Sequence, residues 1–125
     1  MIIKLQPYSS KPIYEQLILE IKRGIVAKEL VPKEAMPSVR TLASDIGINM
    51  HTVNKVYKRL QNEQVLVKQK SGFVVNPKPI KPNPEILAKM SEKVYELMLD
   101  KALYNLSDKD ILALMKSVNF VKAGD

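Results

Sequence analysis

The chain has 125 residues, 46% hydrophobic and 26% charged, which suits a globular protein of one ordinary domain, or of one small domain plus an appendage, and excludes a disordered chain. It carries 20 Lys and Arg against 13 Asp and Glu, a formal net charge of +7 that favours a polyanionic partner, and it has no cysteine for a disulfide or thiolate metal site. No apolar run approaches the ~18 residues of a membrane span, and the first ten residues, MIIKLQPYSS, lack the layout of a secretion signal, so a cytoplasmic protein without a membrane partner is expected.

Residues 1–11 read as a short extended arm. Pro12 suits a first helical position, and from there Ile13, Leu17, Ile21 and Ile25 make an apolar stripe widened by Tyr14 and Ile18. This helix is expected to end near Lys28 or Glu29, and its stripe is read as core. Residues 30–36, with Pro32, form a connector.

The next stretch organises the chain. Val39, Leu42, Ala43 and Ile46 fall at i, i+3, i+4, i+7, with Ser38 placed as an N-cap and Gly47 placed where a helix C-terminus favours positive φ. Two residues later the pattern restarts, with Asn49 as a cap and Val53, Val56, Tyr57 and Leu60 on the apolar face. The opposite face carries His51, Lys55, Lys58 and Asn62, with Thr52 and Arg59 on one flank and Asn54 on the other. Two short helices around a glycine turn, the second with a basic, hydrogen-bonding outer face, spell a helix-turn-helix whose second helix is shaped for a DNA major groove.

Val65-Leu66-Val67 and Phe73-Val74-Val75 flank the polar turn Lys68-Gln69-Lys70-Ser71-Gly72, which predicts a hairpin, and a hairpin after a helix-turn-helix is a wing. Lys68 and Lys70 lie two apart and are expected on one face of the ribbon, toward DNA phosphates or the minor groove. Residues 1–75 hold 12 Lys and Arg against 6 Asp and Glu, whereas 76–125 hold 8 against 7, so the basic excess travels with this region.

Residues 76–84, NPKPIKPNP, hold four prolines and predict a stiff linker. Beyond it, a helix is expected from Glu85 to about Leu103, with Leu87, Met90, Val94 and Leu97 in a 3-4-3 seam broadened by Ile86, Met98 and Ala102. Ser107 and Asp110 make an S-x-x-D start for a last helix, marked by Ile111, Met115 and Val118 and ending before Gly124. Two such helices make little core alone, so they fold back on the winged part or pair with a second copy. The expected organisation is a winged helix-turn-helix domain over 1–75, a linker over 76–84 and a helical dimerisation segment over 85–125. Its fold class is mainly α with one small β-hairpin.

At Pro12-Ile13-Tyr14-Glu15-Gln16, Pro37-Ser38-Val39-Arg40-x-Leu42-Ala43, Ile48-Asn49-x-x-Thr52-Val53, Tyr57-x-x-Leu60 and Gly72-Phe73-Val74 the sequence resembles the GntR family of bacterial transcription regulators. The short C-terminal part resembles the YtrA-type subfamily, and the resemblance implies a homodimeric repressor. Carried over by position, the family's DNA contacts fall on Ser38, Arg40, Asn49, Met50, His51, Thr52 and Asn54, and on the wing tip from Lys68 to Ser71, including Lys70. Lys55 and Lys58 lie further along the outer face, toward backbone phosphates. Many relatives have arginine at the place of Met50 and a basic residue at the place of Asn54, so the operator sequence is not borrowed from them. Glycines common in relatives are replaced by Lys33, Gln64 and, in the wing turn, Ser71.

The expected function is a sequence-specific regulator, a repressor acting on double-stranded DNA at a palindromic operator. Two copies join through Leu87, Met90, Val94, Leu97, Met98, Ile111, Met115 and Val118. The rival is a winged-helix protein–protein adaptor without DNA binding, against which the basic outer face of the second motif helix argues. An enzyme fits poorly: His51 is the one histidine, no phosphate-cradling glycine loop is present, and Glu92 and Glu96 lack a third metal ligand nearby. No cofactor or metal is expected. No effector is named by the sequence, and so short a C-terminal part predicts no roomy ligand pocket.

Overall fold

The computed structural model describes residues 3–121. The chain runs α1 (Ile13–Val26), α2 (Val39–Ile46), α3 (Met50–Asn62), β1 (Leu66–Gln69), β2 (Gly72–Val75), α4 (Pro84–Leu103) and α5 (Asp108–Ser117). It divides into two compact units. One reaches to Ile80 and takes in Phe120 and Val121, and the other is Lys81–Asn119.

In the first unit the predicted stripes meet. Leu17 and Ile21 of α1, Val53, Val56, Tyr57 and Leu60 of α3, and Leu66 of β1 are almost entirely buried. Removing such side chains from water is the main drive for this fold, at roughly 1.5–3 kcal/mol each. Pro12 sits at the N-cap of α1 and not inside it, and the helix stops at Val26, short of the expected end. Lys28 takes φ 63°, and the amides of Glu29 and Leu30 turn back to the Gly24 carbonyl, which closes the helix early. The arm before α1 is tied down by Gln16. Its side chain accepts from the Gln6 amide at 2.7 Å and donates to the Gln6 and Lys11 carbonyls at 3.0 and 2.8 Å.

The connector before α2 is more than a connector. The Lys33 amide donates to Val75 O, Val75 N to Glu34 O, and Met36 N to Phe73 O, each at 2.9 Å, and Ala35 bridges Val74. Residues 33–36 thus cover the outer edge of β2. β1 pairs antiparallel with β2 in the register Leu66–Val75, Val67–Val74, Lys68–Phe73 and Gln69–Gly72, which leaves Lys70 and Ser71 as the turn. The first strand therefore begins one residue later and runs two residues further than the β-prone run Val65 to Val67. Lys33 and Gln64 take φ 73° and 66°.

In the second unit Asn83 caps α4 by accepting from the Ile86 amide at 2.8 Å, and Pro84 opens the helix one residue before the expected Glu85. The S-x-x-D start is a full capping box. Ser107 Oγ accepts from Asp110 N at 3.1 Å, and Asp110 Oδ2 accepts from Ser107 N at 2.8 Å. Those contacts hold the Asp110 carboxylate below its usual range. α5 ends at Ser117. Val118, expected on its apolar face, is the C-cap with extended backbone, and Gly124 lies outside the described residues. No residue of α4 or α5 is buried, and no helix of the described residues is long and apolar enough to cross a membrane.

Candidate nucleic-acid interface

The two motif helices are held at a fixed angle by local chemistry. Ser38 Oγ accepts from Thr41 N at 3.0 Å and donates to Thr41 Oγ1 at 2.8 Å. Gly47, at φ 70°, ends α2 in the left-handed region, and Ile48 N returns to Ala43 O at 3.1 Å. Asn49 Oδ1 then accepts from His51 N at 2.7 Å and starts α3. The Tyr57 hydroxyl, on the buried side of α3, donates to Pro37 O at 2.8 Å and so ties α3 to the residue before the α2 cap. Burial pushes that phenol well above its ordinary value, so it stays a donor. The Tyr57 ring meets Phe73 of β2 edge to face at 5.2 Å, which locks the wing to the same helix. Tyr57 was legible only as an apolar-face residue; the chain distance to Pro37 hides its second role.

The predicted DNA-facing residues share the solvent side of this frame. Ser38, Arg40, Asn49, Met50, His51, Lys55, Lys58, Lys68, Lys70 and Ser71 are exposed, and Thr52 and Asn54 are half-buried. Three of these positions have a defined local setting. The Ser38 hydroxyl is committed to the Thr41 cap, so its partner in recognition is limited to a remaining lone pair. Lys70 lies in the turn, beyond the strand alternation that predicted one ribbon face for it and Lys68. Lys68 instead sits across from Phe73 with its Nζ 4.5 Å from the ring centroid, an ammonium held over an aromatic face.

Lys22 pairs with Glu63 at 2.7 Å, Arg59 with Glu63 at 3.0 Å, and Arg23 with Glu29 at 2.6 Å. None of Arg40, Lys55, Lys58, Lys68 or Lys70 has a carboxylate within ion-pair distance among the described residues. Five cations without carboxylate partners, the Asn49 amide with its two N–H donors turned away from the cap, and a helix N-terminus can together engage a polyphosphate backbone and base edges.

The described residues contain no group of three or more His, Cys, Asp or Glu that could hold a metal. A groove of about 760 Å³ runs along Ala88, Ser91, Glu92, Tyr95, Glu96 and Leu99, and all of these belong to α4, so it is a helix flank without opposing walls.

The expected dimerisation residues are exposed in the single chain. Leu87, Met90, Val94 and Val118 keep about half their surface in water and Met115 keeps 65%; Leu97 and Met98 are at the lower end and Ile111 is half-buried.

Residues 13–75 match the family model of bacterial regulatory proteins, gntR family. Over 64 residues the chain is 42% identical to the HTH-type transcriptional repressor YtrA of Bacillus subtilis, a match that covers 51% of this chain and 49% of that protein. The chain spans about half the length of the curated relatives it matches. A solved transcriptional antiterminator from Listeria monocytogenes superposes with a TM-score of 0.84 at 30% identity, covering 98% of this chain and 95% of that one. YtrA from Sulfolobus acidocaldarius, a GntR-family transcription factor, superposes with a TM-score of 0.61 at 32% identity, covering 91% and 93%.

Proposed function

We propose that this chain, which belongs to the GntR family of bacterial regulatory proteins, is a sequence-specific DNA-binding transcription regulator acting as a homodimeric repressor in the cytoplasm. The observation that carries the reading is the exposed basic surface of the helix-turn-helix and its wing. Arg40, Lys55, Lys58, Lys68 and Lys70, on α2, α3 and the wing, are all exposed and have no carboxylate within ion-pair distance among the described residues. Unpaired cations repel one another unless a polyanion meets them.

In this reading α3 enters the major groove. Arg40 bonds a base or phosphate, Asn49 and Thr52 bind phosphates at the helix N-terminus, and His51 and Asn54 face base edges. Lys55 and Lys58 follow the backbone, and Lys70 and Ser71 carry the wing tip to the flanking phosphates with Lys68 behind them. Residues 1–75 bind, residues 76–84 space, and 85–125 pair two copies, which sets two recognition helices along a palindrome. A protein–protein adaptor is the second reading, and it leaves those five cations without a role.

The deciding measurement is binding of the full chain to a random duplex as salt is raised, followed by selection from a random pool. DNA binding through phosphates makes log affinity fall linearly with log salt. Replacing Lys68 and Lys70 with Ala weakens every duplex alike and flattens that slope by roughly one unit for each phosphate no longer neutralised. Salt-independent binding, or none, rejects DNA in favour of the adaptor.

A further inference from the structure

From Met36 to Val75, every large hydrophobic side chain but one is buried or half-buried; the exception is Met50, 42% exposed. Its place makes this informative. Met50 is the first residue of α3, directly after the Asn49 cap and before His51, and Asn54 stands one turn along on the same strip. Its neighbours on the outer surface are hydrogen-bonding groups. The core closes with Val53, Val56, Tyr57 and Leu60 of α3, and Met50, at the rim of that face, is neither in the cluster nor packed against it. Water gains nothing from a thioether at this spot, and a helix start is better served by an acidic or small polar residue.

A polar duplex groove offers one natural apolar group to such a side chain. The major groove presents hydrogen-bond donors and acceptors on all four base pairs, and only thymine adds a C5-methyl. Methionine has three rotatable bonds and a polarisable sulfur, so it can settle on a methyl without a fixed geometry. It cannot pair with guanine O6 and N7 as an arginine would. We propose that Met50 is a specificity-determining residue that reads a thymine methyl in each half-site. This rests on the DNA-binding reading above and adds which base the α3 N-terminus selects.

The test uses the full chain and a duplex enriched from a random pool by the wild type. Each thymine of that duplex is replaced in turn by deoxyuridine, which removes the methyl and leaves the Watson–Crick pairing intact. Wild type is expected to lose about fourfold in affinity at one thymine per half-site, the value of one methyl group returned to water. Met50→Ala is expected to start weaker on the unmodified duplex and to be indifferent to deoxyuridine at that same position. Because Met50 is exposed, thermal unfolding of the variant should match wild type, which separates recognition from folding. If no deoxyuridine substitution matters to wild type, or if Met50→Ala keeps the sensitivity, the assignment of Met50 is overturned while DNA binding stands. If the pool yields no enriched duplex and binding is independent of salt, the DNA-binding reading falls and takes the Met50 assignment with it.

Discussion

Arg40 shows how one side chain's role follows from its place. It is the second residue of α2, exposed, off the apolar face of Leu42 and Ala43, and without a carboxylate partner among the described residues. Arg40→Ala should therefore weaken specific DNA binding by about 1–3 kcal/mol, the range of a good base contact, with unfolding unchanged. A gel-shift titration against the selected duplex checks this, and undiminished affinity would remove Arg40 from the interface. Gln64 presents the opposite case, a residue whose cost is in the backbone. It holds φ 66° between α3 and β1, and its carbonyl accepts from Asn76 Nδ2 at 2.7 Å. An L-residue there costs about 1–2 kcal/mol, part of which glycine would recover after its own loss of chain entropy. Gln64→Gly should raise stability by up to about 1 kcal/mol, read as a higher thermal midpoint with unchanged DNA affinity.

Between elements, the ion pairs do what no single residue does. Glu63, just past α3, receives Lys22 from α1 and Arg59 from its own helix. Burial pushes its carboxyl up, but the hydrogen bonds from Lys22 and Arg59 outweigh that and hold it below the ordinary carboxylate range. A carboxylate with a lowered folded-state value adds stability that is fully present above the unfolded value near ~4.3 and is lost as pH falls through the folded value. Chemical denaturation from acid to neutral pH should show wild type losing this contribution below that point. Glu63→Gln should be less stable at neutral pH by about 1 kcal/mol, given that both cations stay partly in water, and its difference from wild type should vanish in acid. A difference independent of pH would assign the effect to packing. The same helix–helix frame is fixed by Tyr57, whose hydroxyl and ring join α3 to Pro37 and to the wing.

At the level of the whole molecule, the first unit has a core of its own and the second has none. Leu17, Ile21, Val56 and Leu60 are fully buried, whereas α4 and α5 bury no residue and leave Leu87, Met90, Val94 and Met115 in water. So much exposed apolar surface on two helices is what an obligate interface looks like before its partner arrives. A chain ending at Pro82 should be a folded monomer with much weaker binding to the selected duplex. Joint binding by two linked half-sites is worth roughly 10²–10⁴-fold in general. Light scattering of both chains at micromolar concentration reads the assembly state. A monomeric mass for the full chain, or full affinity from the shortened one, would end the dimer proposal.

What the linear sequence determined were the features that depend on near neighbours along the chain. Helix periodicity in α2 and α3, the caps at Ser38, Asn49 and Ser107 and the left-handed turn at Gly47 are all local backbone physics, and each was legible. The outer-face residues of α3 followed from the same period, because one periodicity assigns both faces of a helix. Tertiary structure alone decided what joins distant stretches. The pairing of residues 33–36 with β2, the Gln16 clamp on the arm and the Tyr57–Pro37 bond carry no pattern in sequence, since their partners lie far along the chain and any polar group could have made them. The early end of α1 and the turn position of Lys70 are local by contrast, set by bonds within a few residues of chain. Backbone hydrogen bonds to Gly24 and the register against Phe73 outweighed an apolar stripe and a β-prone run whose lengths alone predicted otherwise.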